Sequence, residues 1–426
     1  MNAVFLLILF ILLMAFGVPV AIAMGASTVT YLLLHMDIPL TVVAQQMVSG
    51  VDKFTLLAIP FFMMAGEFMG QGGISRKIIT FTKALLGSLH GGLALVMILA
   101  SMIFAAMTGA GAATCAAVGG MMIPFMKEEG YGEDFTCALQ STAGIFGPLI
   151  PPSILMVLFS VSTDASVSDM LLAGLVPGIV MGVVVAITST VICIKNNYRG
   201  AGKFSFKSAC TSFADAVLAL LTPIIILGGI YSGLFTATEA AAVAALYSLV
   251  IGAFVYKELN FAKIKSILVT SMKTTAGLML IVATTQLLGW VLTRERVPQM
   301  LAEQFMSLTT NPHVFLLLTA ALLLVCGCFL DPVPAVMILA PILAPVSAGY
   351  GINPIHFGTI MVVGLVIGLI TPPVGVNLFV VSSIAQRPVH KFIPNIIPFL
   401  ITVIIGYLIV IFVPALSTYL PMLSHR

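Results

Sequence analysis

The chain has 426 residues, 60% of them hydrophobic and only 8% charged, with a formal net charge of +3. Soluble domains carry about 25% charged residues, so this composition excludes a large water-soluble domain and specifies a polytopic protein of the lipid bilayer. The net charge of +3 carries no information about nucleic acid, and no nucleic-acid partner is expected; what matters in such a chain is where the charges fall.

Met1 to Met24 is an apolar run ending in Ala-Ile-Ala. It lacks the basic start of a secretory signal and exceeds the usual length of its apolar core, so it is expected to stay as a first helix. The apolar segments of residues 1–35 break at Gly17-Val18-Pro19, and a loop without Lys or Arg is expected from His35 to Asp52. Phe54 to Met69, interrupted by Pro60, ends near Glu67, which reads either as a helix-end residue or as a buffer for the basic pair Arg76 and Lys77. Leu85 to Phe125 carries no formal charge. Its apolar part, residues 91–126, would be about 54 Å long as one helix, against a hydrocarbon core of about 30 Å. That is too long for one crossing and too short for two with a loop. The small centre Thr108-Gly109-Ala110-Gly111-Ala112-Ala113-Thr114 fits the tip of a re-entrant hairpin over about 86–126; a tilted helix packed through small residues is the alternative.

An acidic loop is expected from Lys127 to Asp134. Gly147-Pro148-Leu149-Ile150-Pro151-Pro152-Ser153 then interrupts an apolar segment spanning about 140–162. A double proline removes two backbone donors and restricts the residue before it, so a helix cannot run through unbroken. In lipid such a break is tolerated only where protein or a water-filled cavity satisfies the freed groups. A further apolar segment, Met170 to Ile194, ends at Lys195–Lys207, which holds four basic and no acidic residues. This is the strongest cytoplasmic marker in the chain and the joint between two halves, 1–207 and 208–426.

The second half repeats the first. Thr236 and Glu239 have capping-box spacing ahead of an Ala-rich helix, so Glu239 is read as a cap rather than an ion ligand. Lys257, Lys263, Lys265 and Lys273 precede an apolar run to Trp290 and Arg294. Val314 to Val346 suggests a second hairpin, with its tip within Phe329–Pro334, and Gly349-Tyr350-Gly351 echoes Gly130-Tyr131-Gly132. Gly368-Leu369-Ile370-Thr371-Pro372-Pro373-Val374 closes the series within a broken helix over about 360–384, starting 221 residues after its counterpart at Gly147. The base-free loop 35–52 corresponds to the Lys-rich 256–273, and the basic 74–83 to 295–304, where Glu295 and Glu303 offset Arg296. Exchange of the basic side between equivalent loops is what inverted-topology repeats require. The expected fold is therefore an all-α polytopic membrane protein of two inverted repeats, each with a re-entrant hairpin and a discontinuous helix.

Matched broken helices in two halves of a membrane chain point to a transporter binding site. Freed carbonyls and hydroxyls are hard oxygen ligands that suit Na⁺, and helix N-termini suit anions. In the first half the candidates are Thr108, Gly109, Ala110, Gly111 and Thr114 at the tip, with Gly147, Pro148, Pro151 and Ser153 at the break. In the second they are Asp331 and Pro332 at the tip, with Gly368, Thr371, Pro372 and Asn377 at the break. Asp331 is the only acidic residue after Glu303; it reads as an ion or substrate ligand, as the cap of a helix opening at Pro332, or as both. Arg294 reads either as an interfacial anchor or as the partner of a substrate carboxylate or sulfonate. No phosphate-cradling loop or hydrolase motif occurs, and the six cysteines and six histidines are scattered. ATP hydrolysis by this chain and membrane-enzyme chemistry are not expected, and the cysteines read as apolar filler.

Over essentially its whole length the chain resembles the large membrane subunit of tripartite ATP-independent periplasmic (TRAP) transporters. The resemblance is carried by Glu67-Phe68-Met69-Gly70 with Gly72-Gly73-Ile74-Ser75, by Phe104-Ala105-Ala106, and by Gly147 to Ser153. Gly228-Gly229-Ile230-Tyr231-Ser232-Gly233, Phe235 to Ala240, and Thr371-Pro372-Pro373-Val374-Gly375 add to it. It implies an elevator-type importer of the ion-transporter superfamily in the bacterial inner membrane, with scaffold and transport domains and Na⁺ as the coupling ion. It also implies a separate small four-helix membrane subunit and a periplasmic binding protein that delivers a small organic anion. A stand-alone Na⁺-coupled carrier of the same superfamily, without a binding protein, is the alternative. Similar proteins often carry a Ser-Gly-Ser-Ser first tip; Thr108-Gly109-Ala110-Gly111 lacks two of those hydroxyls, so backbone carbonyls would carry more of the coordination.

Overall fold

The computed structural model of the protein describes residues 2–36, 38–198, 200 and 205–424; Met1, and Arg199 and Lys203 of the basic linker, lie outside them. Among the described residues every regular element is helical. The first half opens with α1 (Asn2–Ala15), α2 (Val20–His35), α3 (Thr41–Val51), α4 (Ala58–Gln71) and α5 (Ile74–Leu86). It continues with α6 (Gly92–Thr108), α7 (Gly111–Glu128), α8 (Glu133–Ala143), α9 (Ile154–Thr163), α10 (Val167–Ala173) and α11 (Leu175–Lys195). The second half opens with α12 (Phe206–Tyr231), α13 (Ala237–Val250), α14 (Phe261–Arg294) and α15 (Val297–Leu308). It ends with α16 (Pro312–Phe329), α17 (Pro332–Gly349), α18 (Pro354–Ile367), α19 (Val376–Ala385), α20 (Val389–Phe412) and α21 (Ala415–Ser424). The starts of α7 and α17, Gly111 and Pro332, are 221 residues apart, as are those of α8 and α18, Glu133 and Pro354. By length and composition, eight helices among the described residues could cross a membrane.

Both hairpins form. α6 and α7 meet at Gly109-Ala110, and α16 and α17 meet at Leu330-Asp331. Gly109 has φ +65°, and a Cβ there would also overlap the Pro152 carbonyl oxygen, so glycine alone fits this tip. The second tip turns without glycine: the Asp331 carboxylate accepts the Val333 N–H at 3.0 Å, and Pro332 takes the first helical position. Each double proline breaks its helix. α8 passes through a 3-10 turn at Gly144–Phe146 before resuming as α9, and α18 through Gly368–Ile370 before α19. The Pro151-Pro152 and Pro372-Pro373 bonds are both cis. The capping box also forms: Thr236 N–H donates to Glu239 Oε2 at 2.8 Å and Glu239 N–H to Thr236 Oγ1 at 3.3 Å.

Three sequence expectations are corrected. Residues 41–51, read as loop, form α3, because Val43 and Met47 lie one turn apart and pack into the cluster built by α1, α2 and α14. Lys263, Lys265 and Lys273 belong to a continuous 34-residue helix, about 51 Å long, whose start Asn260 caps by accepting the Lys263 N–H at 2.9 Å. The acidic loop shrinks to residues 129–132, since α7 runs through Glu128 and Glu133 and Asp134 lie in the first turn of α8. There the carboxylates meet the positive end of the helix.

Two bundles result. α1–α5 and α12–α15 form a frame, with α4 against α13, α3 against α14, and α5 against α12. α6–α11 and α16–α21 form the bundle that holds both hairpins and both broken helices, with α7 against α19, α9 against α17, and α8 and α11 against α20. Within it the broken helices run antiparallel. Arg387, just past the end of α19, forks onto Asp134 at the start of α8, with Nε–Oδ1 2.7 Å and Nη2–Oδ2 2.8 Å. The base of the first hairpin sits at this same end beside the basic linker, where Gly91 N–H donates to the Tyr198 carbonyl at 3.1 Å and Gly132 N–H to the Tyr198 hydroxyl at 3.0 Å. The base of the second hairpin leads directly into the start of α18, at the opposite end.

Candidate functional site

The two tips and the two breaks meet. A cavity of about 200 Å³ is lined by Gly109, Ala110 and Gly111 of the first tip and by Asp331 and Pro332 of the second. Pro148 and Ile154 of the first break, Leu369, Val376 and Asn377 of the second, and Met63, Thr274 and Leu278 of the frame complete most of its wall. Gly111, Ile154, Pro332 and Val376 are the first residues of α7, α9, α17 and α19. Four helix N-termini therefore converge on one cavity, each with the positive end of its dipole, although α17 offers no free N–H in its first turn: Pro332 and Pro334 have none, and those of Val333 and Ala335 are bonded to Asp331. No Lys or Arg lines it. The arrangement attracts an anion without a fixed positive side chain.

Behind this wall the first tip is seated on the first break. A Cβ on Gly147 would stand 2.5 Å from the Ala110 oxygen and 2.7 Å from the Gly111 nitrogen. Thr114 donates to the Ala110 carbonyl at 3.0 Å, and the Thr108 and Thr114 hydroxyls stand 3.4 Å apart. Ser153 caps α9 by accepting the Met156 N–H at 3.3 Å and donates to the Pro148 carbonyl. Asn377 reaches across from the second half: its Nδ2 donates to the Ser141 carbonyl at 3.2 Å. Its Oδ1 is buried without a protein partner, and a Cβ on Gly111 would lie 3.1 Å from it. A buried carbonyl-type oxygen left unpaired is costly unless something else occupies it.

Seven of the sixteen sequence candidates line the central cavity: Gly109, Ala110, Gly111, Pro148, Asp331, Pro332 and Asn377. Thr108 lines an adjoining one, and Thr114, Gly147 and Ser153 support the wall. Pro151 is buried behind the first break, and Gly368 packs on the Gly327 backbone. Thr371 donates to the Ile367 carbonyl at 2.8 Å, closing α18, and Pro372 follows it half-buried outside the cavity. Arg294 does not join them. It is exposed at the end of α14, 5.6 Å over the Trp290 ring, and lies about 30 Å along the helix from Thr274. α14 runs unbroken from Phe261 to Arg294 and carries Arg294 away from the tips, so the structure does not bring it to the cavity.

Three residues lining or backing these cavities are not among the sequence candidates for the site, although Glu67 reads from sequence as a helix-end residue or a buffer. Gln140 is fully buried; its Nε2 donates to the Thr114 carbonyl at 3.4 Å and its Oε1 has no protein partner. As the one amide in the apolar stretch around the first break, it carried a signal. Thr274 lines both cavities and Glu67 the adjoining one; only their packing against the hairpin places them there. The adjoining cavity, about 360 Å³, shares Met63, Ala110, Ile154 and Thr274 with the first and is flanked by Ala113, Ala116 and Ala117 of α7. It follows α7 from the tip toward its base, so the site opens toward the basic-linker end.

Comparison with known proteins fits this geometry. Residues 7–416 match the family described as tripartite ATP-independent periplasmic transporter, DctM component. The chain is 38% identical over 405 residues to the sialic acid TRAP transporter large permease protein SiaM of Vibrio cholerae, covering 95% of each. It is 40% identical over 444 residues to the C4-dicarboxylate TRAP transporter large permease protein DctM of the same species, covering 99% of this chain and 98% of that one. To the isethionate TRAP transporter permease protein DctMQ of Oleidesulfovibrio alaskensis it is 39% identical, covering 96% of this chain and 65% of the relative. Among solved structures it is similar in fold to the YdaH transporter of Alcanivorax borkumensis, with a TM-score of 0.64, 16% identity, and coverage of 89% and 90%.

Proposed function

This chain belongs to the DctM-component family of tripartite ATP-independent periplasmic transporters, and on that premise we propose that it is the large permease of an Na⁺-coupled importer of a small organic acid. The observation that carries the anion is the convergence of four helix N-termini on a cavity with no basic side chain. The observation that favours a co-bound cation is the oxygen set beside it: the Asp331 carboxylate and the buried, unpaired Asn377 Oδ1. An anion and the Asp331 charge in one small cavity need a positive partner, and Na⁺ supplies it. The relatives' named substrates, sialic acid, C4-dicarboxylates and isethionate, define the class: carboxylates and a sulfonate.

In this reading the basic linker places its end of the molecule in the cytoplasm of a bacterial inner membrane. The bundle of hairpins and broken helices moves against the frame as an elevator, a small four-helix subunit accompanies the frame, and a periplasmic binding protein delivers the acid.

The test is uptake of succinate, sialic acid and isethionate into proteoliposomes holding this chain and its small partner, with and without binding protein and an inward Na⁺ gradient. Uptake that needs both is expected; uptake indifferent to Na⁺ refutes the coupling, and uptake without binding protein moves the chain to a stand-alone carrier. Asn377→Leu removes the unpaired oxygen and is expected to raise the Na⁺ concentration for half-maximal uptake by about tenfold or more, the scale of one lost charged-group contact. Asp331→Asn preserves an acceptor for the Val333 N–H while deleting the charge, and Asp331→Ala deletes both. Both are expected to lower uptake by about tenfold; normal uptake by the Asn variant reduces Asp331 to a cap worth about 1 kcal/mol.

A further inference from the structure

The cavity that leads away from the tips contains a charge with no role so far. Glu67 is the only charged residue lining it. Opposite stand the small side chains of α7 and, from the frame, Thr270, Ser271 and Thr274. The Glu67 carboxylate accepts one hydrogen bond, from Gln71 Nε2 at 3.0 Å, and no Lys or Arg pairs with it among the described residues. The basic pair it was expected to buffer faces elsewhere: Arg76 and Lys77 line a separate cavity with Asp215 and Glu258, and Lys77 Nζ lies 3.6 Å from Asp215. The position of Glu67 is fixed by its neighbour, because a Cβ on Gly66 would stand 2.9 Å from the Thr108 Cα at the tip of the first hairpin. Any solute moving from the tips toward the basic-linker end along α7 passes this carboxylate.

We propose that Glu67 is a specificity-determining residue of the exit path, whose uncompensated negative charge lowers the occupancy of organic anions in the cavity on the cytoplasmic side, so that an anion released there rebinds less readily. The proposal rests on the anion-import reading above. Inside a cleft with low-dielectric walls a fixed charge acts at a distance. At about 10 Å and an effective dielectric constant of about 20, one unit charge depletes a monovalent anion and enriches a monovalent cation by roughly ten- to twentyfold.

The experiment has two arms. In nanodiscs, which leave both faces accessible, the complex carrying Ala113→Cys is treated with a cationic or an anionic methanethiosulfonate, and modification at position 113 is read by mass spectrometry. With Glu67→Gln the cation-to-anion rate ratio is expected to fall by about tenfold or more, while Glu67→Asp keeps it. In proteoliposomes, release of preloaded labelled succinate, sialic acid or isethionate is expected to rise about fivefold in Glu67→Gln, with initial uptake within about twofold of wild type. A purely structural role would lower uptake and release together and leave the reagent ratio unchanged. An unchanged ratio overturns the proposal, and so does a shifted ratio without faster release. If the wild type imports none of the acids, the anion reading fails and the exit role with it, while the ratio still reports whether the charge is felt in the cavity.

Discussion

Transport is expected to fall by about twentyfold or more when positions 53 and 164 are bridged covalently, and to return when the bridge is cut. Lys53 lies in the frame, in the turn between α3 and α4, and its Nζ donates to the Val161 carbonyl at 2.8 Å and to Asp164 Oδ1 at 3.2 Å, both at the end of α9. It is the only ion pair joining frame to bundle among the described residues. It closes the end opposite the basic linker, while the site opens at the other. The pair itself holds little energy: Asp164 is 90% exposed, and such pairs contribute about 0–1 kcal/mol. Lys53→Ala alone should therefore change rates only a few-fold. What the contact marks is a surface that must separate if the bundle travels. In the second repeat the residue 221 positions after Lys53 is Thr274, which lines the open cavity instead of sealing it. An alternating transporter would exchange these two roles. The measurement uses Lys53→Cys with Asp164→Cys and a membrane-impermeant, reductant-cleavable bis-methanethiosulfonate, with each single variant as control. Full transport in the bridged protein would show that frame and bundle do not separate there.

Gly147→Ala is expected to reduce uptake by about tenfold or more, since a misfit of this kind costs about 1–3 kcal/mol. Gly147 has φ −50° and ψ −62°, ordinary helical values, so alanine is conformationally welcome and would by propensity stabilise the turn. The loss comes only from space. The added methyl meets the backbone of Ala110 and Gly111, which cannot rotate aside, and the first tip must lift from the first break. The lifted tip shifts the α7 N-terminus relative to the unpaired Asn377 Oδ1 beside Gly111. Gly120→Ala on α7 is the control, because a Cβ there meets nothing within 4 Å and uptake should stay at the wild-type level. Equal loss in both variants would mean that α7 as a helix, not the seating of the tip, is the sensitive element. Equal uptake in both would mean that the tip tolerates displacement.

The main architecture was legible because membrane physics leaves few choices. An uncharged run too long for one crossing, with a small-residue centre, must turn back, and a double proline within apolar sequence must break its helix. Those two rules located both tips and both breaks to within a few residues. They failed where the signal was weak rather than absent. α3 was missed because a short amphipathic helix lying along α14 has no long apolar run to announce it. The Lys-rich start of α14 was read as loop because charge was weighed above capping by Asn260.

For the site, the chain alone determined which backbone segments lose their hydrogen bonds, since that follows from proline, glycine and local composition. It did not determine which lone side chains meet them. Arg294 and Glu67 each looked ambiguous as charges at helix ends, and the packing of α4 on the first hairpin and of α14 on the second separated them. One lies about 30 Å along its helix from Thr274, and the other lines the adjoining cavity. Asn377 entered as one polar residue beside a break, and only the packing of α19 alongside α7 and antiparallel to α8 left its oxygen unpaired against the first tip. Local chemistry fixes where a helix must stop; the tertiary structure, by bringing chain 221 residues distant into contact, decides what the stopped ends face.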